Sequence, residues 1–374
     1  MNSFTTLYMF AGDEHIFKDV GQIPYVLSKQ YGYASTIAGC FFSENHDCEI
    51  AGYLKIDKIQ HFDKIQHFKH RFGLAGCMYL LKNAKDIDIL NLYHTNKRVW
   101  IYSKLYKLLN PRGKLYIKLD CGLQTCDRID TDEKYRYFFM KCLDLADLIS
   151  VESKAAKERL NRYDSQSKII IVPNGFSYKG YEKPRYMEKE KFILSVGNLS
   201  HNKGTVDLVK AFYVSRCYKD NWKLILVGRM KEDFEKFYNL FIQEHKEMKD
   251  VILFKGYIAN RKEINKLYRQ ASIFVLPSYN ESFSIASCEA LANGCYLVLS
   301  DRVTPYKELT NEYKYGCVIK VGDIEALSGA IKQSTLNYNK NLVEEAVRYA
   351  INIFSWEFII SKLNDELRKL FNEA

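Results

Sequence analysis

Short apolar runs of four to six residues, each separated from the next by helical patterning, recur from one end of this chain to the other. In the first half they fall at 6–10, 34–38, 87–92, 114–119, 148–151 and 169–172. In the second half they fall at 192–196, 223–227, 251–254, 273–276, 296–299 and 317–321. Many are β-branched or aromatic and run directly into Gly, Asn, Asp or Pro. A strand apolar on both faces is one covered by helices on either side, so this rhythm predicts buried parallel strands with crossover helices. Two doubly wound α/β sheets follow. At 374 residues the chain also exceeds what one ordinary core holds.

The join between the halves lies where Pro173-Asn174-Gly175 ends the last early run and a polar, charged stretch containing Pro184 begins. The expected layout is a first domain over 1–176, a linker over 177–190, a second domain over 191–353 and a closing helix over 354–374. Ser355 is a candidate N-cap for that helix.

Composition restricts the partners. Forty-seven per cent hydrophobic and 27% charged residues exclude a disordered or low-complexity chain. Fifty-five Lys and Arg against 45 Asp and Glu leave a formal charge of +10, which suits anionic partners or reflects a Lys-rich habit. No basic recognition motif or aromatic repeat accompanies that surplus, so a nucleic-acid partner is not expected. Ten cysteines without a CxxC pair read as reduced, mostly buried thiols. No basic, apolar leader opens the sequence, and no run of about 18 apolar residues occurs. The expected location is cytoplasmic, with weak peripheral contact at the inner face of an anionic membrane as a candidate. DKIQHF occurs twice in tandem over 57–68, with Ile or Phe at every third position. The expectation is a helix laying one apolar face on the first domain, and a basic, aromatic membrane-surface helix is the alternative. His61, His67 and His70 have no metal-binding spacing, so no metal is expected.

Two segments carry chemistry. Pro277-Ser278-Tyr279-Asn280-Glu281-Ser282-Phe283-Ser284-Ile285 follows the run at 273–276, at a strand's C-terminal end where open α/β sheets bind ligands. Glu281 lies in the loop, and Glu289 is expected about two turns into the next helix. Eight positions at about 100° each leave the two side chains about 80° apart, so they reach different parts of an elongated ligand. The amides at Phe283, Ser284 and Ile285 open that helix and suit an anionic group. An acidic helix start plus one solvent-facing Glu would explain the same residues. The second segment, Val196-Gly197-Asn198-Leu199-Ser200-His201-Asn202-Lys203-Gly204, takes a strand into a polar turn whose Lys precedes a helix starting near Thr205. A lysine beside free helix amides makes a phosphate site. The spacing is not that of a P-loop, so hydrolysis of a nucleoside triphosphate is not indicated.

Together these segments resemble the retaining glycosyltransferases of family 4, also called glycosyl transferases group 1. Their Glu-x7-Glu element is matched by Glu281 and Glu289, and their turn ending in Lys-Gly by Val196 to Gly204. Pro173-Asn174-Gly175, Leu226-Val227-Gly228, Gly256-Tyr257-Ile258 and Phe354-Ser355-Trp356-Glu357 extend the resemblance. It covers the second half almost throughout, and in the first half only the rhythm and a few loops. The resemblance implies the GT-B fold: two facing Rossmann-like domains with a C-terminal crossover helix. It implies transfer of a hexosyl group, with retention and without a metal, from a UDP- or GDP-sugar to a hydroxyl of a glycan, lipid-linked or protein acceptor in cell-surface glycan synthesis. A noncatalytic partner subunit that binds the nucleotide sugar, or a nucleotide-sugar epimerase of the same fold, is the alternative.

The resemblance assigns roles position by position. Lys203 would hold the diphosphate, with Gly197, Asn198, Gly228 and Arg229 lining that end. Glu281 would bind the sugar's hydroxyls beside the Phe283 and Ser284 amides. Glu289 would bind the ribose, and the base would lie against Gly256, Tyr257 and Ile258. In the first domain Gly21 falls where the family's glycine loop approaches the phosphates, and Asp120 stands where relatives often carry a histidine. His94 is a further candidate. Three departures are visible: Asn198 replaces the family's usual Arg, Gly21 stands alone where two glycines are usual, and Ser284 replaces a frequent Gly. Arg229 or Arg261 is the candidate substitute for the missing cation.

Overall fold

The structure is a computed structural model, and it describes residues 2–43, 52–59, 71–176 and 188–372. The chain forms two units. Unit 1 combines Met1–Gly175 with Trp356–Ala374, and unit 2 is Phe176–Ser355.

Unit 1 is built on a parallel sheet of β1 (Ser3–Leu7), β2 (Ala34–Gly39), β3 (Leu54–Lys58), β4 (Ile89–Tyr93), β5 (Lys114–Lys118), β6 (Leu148–Val151) and β7 (Ile169–Ile171). The spatial order is β3-β2-β1-β4-β5-β6-β7, so the direction of winding reverses between β1 and β4, which pair through Phe4 and Ile89. One face packs Leu90, Leu92, Leu115, Ile117 and Ile149 against the helices Lys97–Leu109 and Glu133–Leu145. The other packs Phe4, Ile37, Ile89 and Tyr116 against the helices Asp19–Tyr31 and Trp356–Asn372. The last of these helices lends the core Trp356, Ile359, Ile360, Leu363 and Leu367, all buried.

Unit 2 repeats the plan with β8 (Glu190–Val196), β9 (Lys223–Val227), β10 (Ile252–Phe254), β11 (Ala271–Leu276), β12 (Tyr296–Ser300) and β13 (Gly316–Ile319). Its order is β10-β9-β8-β11-β12-β13, again all parallel, with the reversal between β8 and β11. In both sheets the crevice at the reversal is where two successive loops diverge and leave room for a ligand.

The strand rhythm expected from the sequence is present, with three differences. β3 is absent from the expected set because charged residues break its apolar run: only Leu54 is buried, while Lys55 and Lys58 face water. Asp57 and Lys58, expected to open a helix, end that strand instead. The rest of the DKIQHF repeat, from residue 60, lies outside the described residues. The first strand starts at Ser3, not Thr6, so Tyr8 to Phe10 form the turn beyond it. Lys189 and Glu190, expected in a linker, belong to the fold: Lys189 is half-buried and Glu190 starts β8. Among the described residues no helix is long and apolar enough to cross a membrane.

Candidate functional site

In unit 2 the loops after β8 and β11 meet at the reversal of winding. After β8 the chain makes a tight turn, His201–Lys203, capped by the Ser200 hydroxyl on the Lys203 amide at 3.3 Å. Gly204 closes it at φ +68°, and a Cβ there would sit 2.1 Å from the Pro277 carbonyl oxygen. Only glycine lets the two loops touch backbone to backbone. The contact is sealed by the Tyr279 amide donating to the Asn202 carbonyl at 2.9 Å. On the other side, Glu281 exchanges backbone bonds with the segment after β12: its amide donates to Arg302 at 3.1 Å, and Thr304 donates to its carbonyl at 3.0 Å. Held by both neighbours, the Glu281 carboxylate forms an ion pair with the Lys203 ammonium, and both side chains are partly exposed.

The glycine turns lie along the same rim. Gly228 follows β9 at φ +143°, and a Cβ on it would meet the Gly197 carbonyl oxygen at 1.7 Å, so these two turns are in backbone contact. Gly228 in turn donates to the Gly256 carbonyl at 2.9 Å. Beside them Arg229 lies over the Tyr257 ring, 4.8 Å from its centroid, and Asn198 is exposed. Ile258 is half-buried. Arg229 is therefore on the rim that Asn198 leaves without a cation. Arg261 is not free for that task, because its guanidinium pairs with Glu289.

Glu289 departs from the expected geometry. The helix starts at Ile285, so Glu289 is its fifth residue, just over one turn in, and the 80° offset calculated for a continuous helix does not apply. Its carboxylate is nearly buried, and burial together with that carboxylate raises the pKa of Tyr268 well above its ordinary value. Ser284 is the N-cap: its hydroxyl accepts from the Ser287 amide at 3.1 Å and is buried, turned into the helix. Its side chain is thus occupied by capping, and the remaining first-turn amides have no intrahelical partner. The Phe283 ring is a core residue, 6.1 Å from Phe354.

Unit 1 gathers a second group at the ends of β1, β4 and β5. His94, directly after β4, has φ +64°, a conformation uncommon for any residue but Gly. Its amide donates to the Lys118 carbonyl at 3.0 Å, and its ring lies 6.2 Å from that of Tyr8. Asp120 is exposed two residues past β5. Both act on Asp19 at the start of the first helix. Burial pushes the Asp19 carboxyl up, Lys118 pulls it down, Asp120 pushes it up again and His94 pulls it down. Gly21 is not in a loop. It is the third residue of the helix Asp19–Tyr31, where a Cβ would lie 2.4 Å from the Ile16 carbonyl oxygen. Its smallness serves the packing of that helix on the preceding turn.

Sequence reasoning missed Asp19 and Glu152, and it read Lys118 only as strand context. Lys118 and Glu152 are fully buried and paired at 2.8 Å. A charged residue at the C-terminal end of one strand and directly after another is the available signal. The Asp-x-Asp pairs are used elsewhere: Asp88 accepts from the Ser3 amide at 2.7 Å, and Asp130 pairs with Arg159 and Arg162.

Residues 181–352 match the family model described as glycosyl transferases group 1. A GDP-mannose:cellobiosyl-diphosphopolyprenol alpha-mannosyltransferase of Xanthomonas oryzae is 24% identical over 54% of this chain. An N,N'-diacetylbacillosaminyl-diphospho-undecaprenol alpha-1,3-N-acetylgalactosaminyltransferase of Campylobacter jejuni is 29% identical, also over 54%. A probable sucrose-phosphate synthase of Thermosipho melanesiensis is 28% identical over 69%. The chain spans 52, 56 and 64% of the length of these three relatives respectively. Among solved structures, a sucrose-phosphate synthase from Thermosynechococcus elongatus superposes with a TM-score of 0.75 at 17% identity, covering 100% of both chains. HepE from Anabaena, in complex with UDP and glucose, gives 0.72 at 15% identity over 98% of this chain and 100% of its own.

Proposed function

Residues 181–352 belong to the glycosyl transferases group 1 family and the chain has the GT-B fold, and from that premise we propose that it transfers a hexosyl group, with retention, from a UDP- or GDP-sugar to an acceptor hydroxyl. The observation that carries this reading is the meeting of Lys203 and Glu281 where the winding of unit 2 reverses. An ammonium beside a carboxylate at the mouth of a parallel sheet offers one group to a diphosphate and the other to sugar hydroxyls. The amides that open the helix at Ile285 supplement Lys203, as helix-start donors do for anions. In this reading Glu289, which pairs with Arg261, binds the ribose, and the Tyr257 and Ile258 turn takes the base. Arg229 supplies the cation that Asn198 lacks.

The acceptor oxygen bonds to the anomeric carbon as the bond from that carbon to the diphosphate oxygen breaks, and the acceptor's proton passes to the departing diphosphate. Preformed positive potential at the leaving group is the largest contribution a site of this kind makes. Asp120 and His94 in unit 1 are assigned to the acceptor. Two of the relatives are named for acceptors on diphospho-polyprenols, which favours a lipid-linked glycan here. No metal is required in this scheme.

A thermal-shift panel of UDP-, GDP-, ADP- and CDP-sugars, with and without Mg²⁺, tests the reading. One nucleotide should stabilise the protein by about 2.7 kcal/mol at a hundred times its Kd, independently of metal, and Lys203→Ala should abolish the shift. A shift that survives Lys203→Ala, or that needs Mg²⁺, sinks the assignment.

A further inference from the structure

The roles assigned above leave unused the most deeply buried charges in unit 1. Lys118, the last residue of β5, and Glu152, the first after β6, both have fully buried side chains. The ammonium donates to Glu152 Oε1 at 2.8 Å and to the Val172 carbonyl at 3.3 Å, and Asp19 Oδ2 lies 3.9 Å away. Glu152 turns its other oxygen, Oε2, to the amide of Cys121, which donates to it at 2.9 Å. Cys121 is the residue after Asp120. The exposed carboxylate thus sits on a turn pinned by Glu152, and Glu152 is held in turn by Lys118.

Stability is a poor account of this pair. Taking two ions out of water costs several kcal/mol each, and apolar side chains of the same volume commonly serve a core as well or better. Apolar side chains could not take up the Cys121 amide or the Val172 carbonyl, nor place a positive charge beside Asp19. All of these contacts lie at the C-terminal ends of β5, β6 and β7, the edge of the sheet where ligands are received.

We propose that Lys118 and Glu152 are positioning residues that fix the Asp120 turn so that its carboxylate receives a hydrogen bond from a neighbouring hydroxyl of the acceptor, leaving the attacking hydroxyl's proton for the diphosphate. This rests on the reading that unit 1 takes the acceptor. The two residues touch no substrate and act through Asp120.

Three variants decide it. Lys118→Met with Glu152→Met removes both charges together and leaves the Cys121 amide without an acceptor. Lys118→Met with Glu152→Gln is also uncharged but keeps an oxygen for that amide. Asp120→Asn removes the group being positioned. Hydrogen exchange over residues 119–122 should quicken at least tenfold in the Met/Met variant and recover in the Met/Gln variant. Thermal shifts from UDP-glucose and GDP-mannose should be unaltered in all three. Nucleoside diphosphate release from whichever of these two is turned over should fall about tenfold or more in Met/Met, be largely restored in Met/Gln, and fall no further when Asp120→Asn is added to Met/Met. Unchanged exchange in Met/Met overturns the proposal, and so do effects of Met/Met and Asp120→Asn that multiply. If the wild type releases nucleoside diphosphate from neither donor, the transferase reading is what suffers, while the exchange measurement still decides whether the pair holds the turn.

Discussion

Burial pushes the Glu152 carboxyl up to about 7, with Lys118 offsetting only part of the cost. A carboxyl whose folded pKa exceeds its unfolded value binds its proton more tightly in the native state. Its contribution is therefore complete below about 4.5 and is lost as the pH rises through about 7. Melting temperatures measured from pH 5 to pH 8 should fall for the wild type and fall less steeply for Glu152→Gln. An equal slope in the two proteins would show that Glu152 does not carry the effect. The same residue marks the limit of what the sequence discloses. Lys203 and Glu281 are legible because each sits in a short local pattern of turn residues with a chemical meaning of its own. Lys118 and Glu152 are 34 positions apart, and each in isolation is an ordinary charge after an apolar run; only the pairing of β5 with β6 brings them together.

At the level of elements, strands covered on both faces announce themselves as unbroken apolar runs, which is why β5, β6, β9 and β11 are visible in the sequence. An edge strand has one rim in water, so charges are permitted there; β3 uses that licence, with Lys55, Asp57 and Lys58 giving it the look of a loop, whereas the edge strands β7, β10 and β13 keep apolar runs. Helix starts were legible to a similar degree. The start of the Glu289 helix is ambiguous in the sequence because its N-cap, Ser284, has Ser282 and Ser287 nearby, and each offers a capping position. Lys189 was hidden for a different reason. It follows a polar stretch, yet its ammonium donates to the carbonyls of Ala271 and Asn293, each at 2.6 Å, and of Tyr268 at 3.3 Å. It thereby ties the end of the helix Arg261–Gln270 and the start of β11 to the end of the helix Ile285–Ala292. Lys189→Met should lower the stability of unit 2 by about 3 kcal/mol, read from urea unfolding, because three carbonyls lose a charged donor at once. A loss under about 1 kcal/mol would mean water replaces the ammonium there.

Taken as a whole, the chain encodes unit 2 as one continuous segment and unit 1 as two pieces separated by it. The ends of unit 2 are joined to each other, with the Phe176 amide donating to the Phe354 carbonyl at 2.9 Å. A fragment spanning 176–355 should therefore melt cooperatively alone. A fragment of 1–175 should not, since it lacks the helix that buries Trp356, Ile359, Ile360, Leu363 and Leu367 in its core. Adding a peptide of residues 356–374 should restore its cooperative transition. A cooperative melt of 1–175 without the peptide would contradict the division.

That interleaving reverses the order of events on the ribosome. Synthesis delivers residues 1–175 with their sheet lacking one of its covering helices, and that helix emerges only after the whole of unit 2. Unit 2, translated later, is the first to be complete. At about 5–20 residues per second, unit 1 waits roughly ten seconds or more with an apolar face uncovered. For that interval the nascent chain is a substrate for chaperones.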